Sequence, residues 1–506
     1  MTDLEEARKG FPAFFAGVVT LLHPLVFVNG FFDINHVKTG LFEAGALCAA
    51  VLLLILRPKK ARADLPPLLC GIAFLLSALL SALLSADVRA AFSGSEGRLC
   101  GWAYLFCWMI SGFTVSRGGN AAGRAADGLT ISYGLCAILA GLNFFHVDPL
   151  HFYTHLSKES VPRFLSTMGN VDFYAAGLCL ALPLCAARFI SGSGRDRLIS
   201  GASLFFCSAS VIWCRADGAV LALLAVAAYA LIRHDRPAFA GLFLIGLALG
   251  VSGSLCYLFS EYMMPLGGCL CWYLARYPIF WFLLCALCAF AARFSGEKRV
   301  RFGRRVCIIL ISAAALAVTI LFCHYSFCDT ETPLPGALRL MRFDDRWGNY
   351  RGGVWKRCLK LYAGSDLKTR LLGLGPDSLK APLNAMYGKE IAAFSHKTFD
   401  NAHSSLLQYL LTTGALGTLF LIGLVFHGLK ALAERRTPLS RAILFSVSVY
   451  LLHSLITVTQ AETGPLFMIL LFSAESEGSG KPEKAESPAA PVNGPRPVSP
   501  SADRAA

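Results

Sequence analysis

The chain has 506 residues, of which 55% are hydrophobic and only 15% charged, and its mean hydropathy is +0.57. That composition excludes a soluble globular protein of this size, whose surface would be too apolar to stay in water. The formal charge of +14 falls in short basic clusters between apolar runs. It argues against nucleic-acid binding, because no basic strip interleaved with aromatics lies outside those runs.

Apolar runs of roughly 17 to 25 residues, the length that crosses about 30 Å of hydrocarbon as a helix, recur along the chain. They predict helices at about 11–29, 40–56, 66–85, 99–116, 128–146, 172–190, 199–214, 217–232, 237–258, 270–292, 306–324, 404–429, 442–458 and 463–474, or about 12 to 14 in all. The first run lacks a small-residue cleavage site and is followed directly by another, so it reads as a signal anchor. With the N-terminus inside, the short inside loops hold about 23 Lys and Arg, among them Arg8, Arg117, Arg188, Arg233, Arg299 and Arg441, against about six in the short outside loops. The expected fold class is therefore all-α, a polytopic protein of the lipid bilayer. Its parts are helices in 1–325, an extracytoplasmic loop in 326–401, C-terminal helices in 402–474, and a Pro, Ser and Ala-rich disordered cytoplasmic tail in 475–506.

The long loop carries enough Trp, Leu and Tyr to order itself. Trp355, Leu359 and Tyr362 follow i, i+4, i+7 and predict an amphipathic surface helix from Arg351 to Tyr362, ended by Gly373-Leu-Gly-Pro376. Of the 18 cysteines, nearly all sit in apolar runs at irregular spacing and read as small hydrophobes. Cys269 and Cys271 make only a CxC, and no Cys/His set has zinc spacing, so neither a metal nor another cofactor is expected.

Chemistry points to the junction of the long loop with the next apolar run, Phe399-Asp400-Asn401-Ala402-His403-Ser404. A histidine at the boundary of water and lipid meets both a lipid-borne phosphate and a water-soluble acceptor. Its ordinary pKa of about 6.5 suits it to take a proton from a hydroxyl. Asp400 is placed to orient the ring, and Gly414 and Gly417 to let helices approach beside it. The bland alternative is a hydrogen-bonded interfacial histidine without chemistry.

The spacing His403-Ser404-x9-Gly414-x2-Gly417 resembles the signature of the O-antigen ligase and O-antigen polymerase superfamily, and most closely members from Gram-positive bacteria. Tyr350-Arg351-Gly-Gly-Val-Trp355, Leu371-Leu-Gly373-Leu-Gly375-Pro376-Asp377, Gly94-Ser-Glu96-Gly97-Arg98 and Arg163-Phe-Leu-Ser166 resemble further segments of it. Arg215-Ala-Asp217-Gly218 stands where many members carry Ser-Arg-Gly, and Ser404 replaces the commoner Asn. The resemblance implies a GT-C-like membrane glycosyltransferase of the bacterial cytoplasmic membrane. Such an enzyme works without metal and moves a glycan from an undecaprenyl-diphosphate donor to an extracytoplasmic glycan, lipid or protein acceptor, with inversion. His403 is then the catalytic base or a diphosphate ligand. Arg351, Arg215 and Arg346 are candidates to hold the diphosphate, since the guanidinium fork stays charged and pairs with phosphate oxygens. Asp400, Asn401, Ser404, Trp355, Gly414 and Gly417 support the site. Arg215 also reads as a hairpin residue paired to Asp217.

Ligase and repeat-unit polymerase share this signature. A transporter or flippase is the alternative from another class. It predicts ionisable pairs near the bilayer midplane and short outside loops rather than polar motifs gathered in a long one.

Overall fold

A computed structural model describes residues 3–28, 34–56, 65–118, 120–267, 269–294 and 296–473. The expected cytoplasmic tail lies outside them. The described chain is built of helices: α1 (Asp3–Leu25), α2 (Ile34–Leu56), α3 (Leu65–Leu83), α4 (Val88–Ser93), α5 (Trp102–Val115), α6 (Ala121–Phe144), α7 (Val171–Ser191), α8 (Gly194–Cys214), α9 (Asp217–Arg233) and α10 (Arg236–Leu258). There follow α11 (Leu270–Arg276), α12 (Pro278–Arg293), α13 (Glu297–Cys323), α14 (Trp347–Gly364), α15 (Leu367–Leu372), α16 (Lys380–Ser395), α17 (Ser405–Thr412), α18 (Gly414–Arg435), α19 (Pro438–Ser454) and α20 (Gly464–Phe472).

Among the described residues, eight helices are long and apolar enough to cross a membrane, and nine if the bent pair α11–α12 is one span. This is fewer than the 12 to 14 read from hydropathy, for a physical reason. Several apolar runs are short: α5 has 14 residues and α20 has 9, below the length of a span, and α9 and α19 stand at its lower limit with 17 each. Two runs expected to be continuous are broken. Pro278, at the start of α12, has no N–H to continue α11, and the pair bends by 73°. The run 404–429 stops at Thr413 and restarts as α18, because Gly414 has φ +69.

The core lies around α7, which packs on α8, α9 and α19, while α1 packs on α6 and α3 on α18. Small residues make these approaches possible. Association of helices in lipid rests on close van der Waals contact rather than on escape from water. A Cβ at Gly177 would fall on the Tyr133 hydroxyl, and both Tyr133 and Tyr174 are fully buried. At one end of the bundle Lys38 is fully buried and donates to the carbonyls of His23 and Pro24, while a ring nitrogen of His23 meets the Ala461 carbonyl at 2.9 Å. These bonds tie α1, α2 and the 455–463 linker together. By contrast, α13 has no buried residue.

The loops that the charge pattern puts on one side do meet at one end. Asn35 bonds the Gly97 carbonyl, Ser85 the Leu374 carbonyl, and Asp217 accepts from the Leu270 N–H at 2.6 Å. The long segment between α13 and α17 has its own small core of Val354, Cys358, Leu361, Leu379, Leu383, Ile391, Phe399 and Ala402. Here the expected stripe is off by one residue. The buried face of α14 is Val354, Cys358 and Leu361, whereas Leu359 is 53% exposed. Trp355 and Tyr362 only flank this core. The helix also begins oddly, with left-handed backbone at Gly348, Asn349 and Tyr350, so regular winding starts at Arg351.

Candidate functional site

The 399–405 stretch of chain is held from every side. Trp355 donates its indole N–H to the Ala402 carbonyl at 2.9 Å, and Gln408 accepts from the Ala402 N–H at 2.9 Å. Ser405 donates from its N–H to the Thr457 carbonyl at 2.8 Å. Ser404 caps α17, its hydroxyl accepting from the Leu407 N–H. Asn401 accepts from the His403 N–H at 2.7 Å and donates to Asp400 at 2.6 Å. Asp400 is thus engaged by Asn401 rather than by the imidazole, contrary to the orienting role read from sequence. These bonds fix His403 at φ +49, a conformation uncommon for a residue with a Cβ.

The His403 ring packs edge-on against Phe399 with centroids 5.4 Å apart. Among the described residues neither ring nitrogen has a hydrogen-bond partner, so both remain available. Burial, and next the charge of Arg351, push the imidazole down to about 4, while Asp400 pulls the other way. At neutral pH the ring is therefore uncharged with a lone pair free, the form in which histidine accepts a proton.

Arg351 stands at the first regular turn of α14, half-buried, with Asp172 at 3.8 Å. Its charge is also felt at Asp217 and His453. In sequence His453 passes as part of an apolar run and gives no signal of its own. It is 3% exposed, its Nδ1 has no partner among the described residues, and its ring lies so close to Gly218 that a Cβ there would come within 2.3 Å of Nε2. His403, Arg351, His453, Asp172 and Asp217 thus form one polar cluster drawn from five separate parts of the chain.

The other arginines are placed differently. Arg215 terminates α8 with φ 54 and donates to the Pro162 carbonyl, and its buried Nε has no partner among the described residues. It forms no ion pair with Asp217 among the described residues. Arg346 is exposed and lines a cavity of about 350 Å³ that shares Asp217 with the His403 cluster and is bounded also by Asp344, Trp347, Asn349 and Tyr350. Arg98 is bound to Asp377 at 2.7 Å. Arg276 lies over the Trp272 ring at 4.4 Å, as a structural residue would.

The two glycines have separate roles. Gly417 lets α18 approach α3, since a Cβ would meet Thr413 at 2.7 Å and the Ser77 hydroxyl at 3.3 Å. Gly414 instead makes the break that seats the Gly373–Gly375 turn: a Cβ would come within 2.3 Å of the Leu371 carbonyl oxygen. That turn pairs with the end of α17, Leu374 N–H to Leu411 carbonyl at 2.9 Å and Gly375 N–H to Thr412 carbonyl at 3.0 Å.

No protein-family model matches the chain, and no curated protein is similar to it. Its chemistry therefore has to be read from the cluster itself. Two residues from His403, Ser405 lines an apolar cavity of about 480 Å³ bounded by Trp108, Tyr409, Val425, Leu451 and Phe467. A neutral histidine and a half-buried arginine thus share one polar cluster, and the chain two residues beyond that histidine lines an apolar hollow, features suited to an amphiphile whose head is anionic.

Proposed function

We propose that this protein is a membrane glycosyltransferase of the O-antigen ligase and polymerase type, moving a glycan from an undecaprenyl-diphosphate donor to an extracytoplasmic acceptor. The observation that carries the reading is the convergence of His403 and Arg351 at the junction whose next residues, from Ser405 on, line the apolar cavity. In this reading the prenyl chain lies in the cavity and Arg351 pairs with the diphosphate, whose charge outcompetes the loosely held, half-exposed Asp172. His403 takes the proton of the acceptor hydroxyl. The hydroxyl oxygen attacks the anomeric carbon from the face opposite the leaving group, the glycosidic bond to the diphosphate breaks, and the lipid diphosphate departs with inverted configuration in the product. Arg351 offsets the charge that grows on the leaving oxygens. The uncharged state of the imidazole favours the base role over that of a cationic diphosphate ligand.

Purified protein incubated with a lipid-diphosphate glycan and an acceptor should release lipid diphosphate without an imposed ion gradient. A transporter or flippase would move the donor intact. Release by the parent protein and at least about a hundredfold less by His403→Ala, at equal abundance, supports the proposal, and equal release by both removes it.

A further inference from the structure

The corner where α8 turns into α9 meets the start of α11, and three ligand-type side chains converge there. The Asp217 carboxylate and the Cys269 and Cys271 thiols lie within 4.8 Å of one another. A fourth is at hand: the thiols of Cys214 and Cys271 share the Ala216 carbonyl, each at 3.8 Å. The arrangement is held by the Leu270 N–H bond to one Asp217 carboxylate oxygen at 2.6 Å. Asp217 is exposed, Cys269 half-buried and Cys271 buried, so the group is reachable from outside and closed behind.

We infer that Asp217, Cys269 and Cys271, with Cys214 as the fourth ligand, form a binding site for a soft divalent cation of the zinc class. Thiolates select zinc or copper(I) over calcium and magnesium, and a carboxylate completes a tetrahedral zinc set. Tetrahedral ligand atoms at zinc distances lie about 3.3 to 3.8 Å apart, so shifts of about 1 Å close the Asp217, Cys269 and Cys271 group, and Cys214, outside that group, turns further to join it. Three thiolates and a carboxylate bring negative charge, and Arg215 and Arg351 on the same face offset it. The spacing is invisible in sequence because the four residues come as a C-x2-D pair and a C-x-C pair on different helices. A bound ion clamps the bent α11–α12 pair to the α8–α9 corner that carries Arg215. The inference concerns metal binding and stands independently of the proposed transfer reaction.

The test uses reduced, purified full-length protein in detergent, loaded with zinc, dialysed, and assayed for metal content, with cobalt(II) as a spectroscopic probe. Near-stoichiometric zinc and a thiolate-to-cobalt charge-transfer band are expected. Cys269→Ser, Cys271→Ser and Asp217→Asn should each weaken zinc binding at least tenfold, whereas Cys328→Ser and His403→Ala should bind as the parent does. A variant that fails to fold is replaced by the parent's own melting temperature, which should rise with zinc and fall with a chelator. No zinc retained by the parent, a melting temperature indifferent to zinc, or a disulfide among Cys214, Cys269 and Cys271 in protein purified without reductant would each overturn the inference.

Discussion

Arg98 and Asp377, 279 residues apart, meet at 2.7 Å and hold the long segment onto the helical bundle. Asp377 also accepts from the Ser95 N–H at 2.8 Å, the Ser95 hydroxyl at 3.0 Å and the Cys100 N–H at 3.2 Å, so its buried carboxylate is fully engaged. The side chains are only 10% and 1% exposed. Breaking such a pair leaves one buried charge uncompensated, at a cost of about 3–5 kcal/mol. Asp377→Ala and Arg98→Ala should therefore each sharply lower the fraction of protein that survives heating in detergent as a monodisperse species. An unchanged melting profile in either would show that the pair is dispensable.

Removing the imidazole at His403 should cut transfer by about 10²- to 10⁴-fold, the usual worth of a positioned base. The pH profile is the sharper measurement. A histidine held below its ordinary value must stay uncharged to act as base, so kcat/KM should be level through the neutral range and decline as pH falls toward about 4. An acid limb near the ordinary histidine value would mean that burial and Arg351 do not act on the ring as described.

Arg351→Lys keeps a positive charge but loses the planar fork. If paired phosphate oxygens are what Arg351 recognises, kcat/KM should drop about tenfold or more, matching the roughly 1.5–3 kcal/mol of a hydrogen bond to a charged group. Full activity in the Arg351→Lys variant would reduce the role of this residue to charge alone.

Gly414→Ala puts a Cβ at φ +69 and 2.3 Å from the Leu371 carbonyl oxygen. The left-handed backbone alone costs an L-residue about 1–2 kcal/mol, and the clash adds to it because backbone, not a flexible side chain, is in the way. At Gly417 the nearest obstacle is the Thr413 side chain. The prediction is an order: Gly414→Ala should lower thermal stability more than Gly417→Ala, and equal losses would contradict it.

Trp355→Phe keeps the ring packed on Trp347, whose centroid is 5.3 Å away, and deletes the bond to the Ala402 carbonyl. A loss of about 1 kcal/mol is expected for the bond. Because that carbonyl adjoins His403, kcat should fall while KM for the donor holds. A change in KM alone would point to a direct donor contact.

Much of this is legible in sequence, because apolar runs report directly on the solvent that a helix faces. The all-helical character, the long ordered segment and the His403 junction follow from hydropathy and spacing. What spacing cannot supply is pairing across the chain. Asp377 reads as the end of a turn until Arg98 is brought to it, and His453 reads as part of an apolar run until Gly218 and Arg351 approach. Hydropathy also cannot see where a helix stops inside an apolar run. Gly414 and Pro278 set those breaks through backbone geometry, not through polarity. Spacing misplaces the face of α14 by one position because Trp355 sits at the margin of the segment core, its ring on Phe343 and Trp347 and its N–H on Ala402.

The bare surface of α13 has a mechanical consequence. A helix that buries none of its residues holds its neighbours only at its margins, Gly303 against His234 and Phe322 against Trp347. The segment that follows it is moored mainly from its far side, through Asp377, the Gly373–Gly375 turn and Trp355, and α13 meets it only at its last turn, where Phe322 lies against Trp347. Changes in its lipid-facing residues should pass unnoticed by His403, whereas a single altered contact at the mooring reaches it at once.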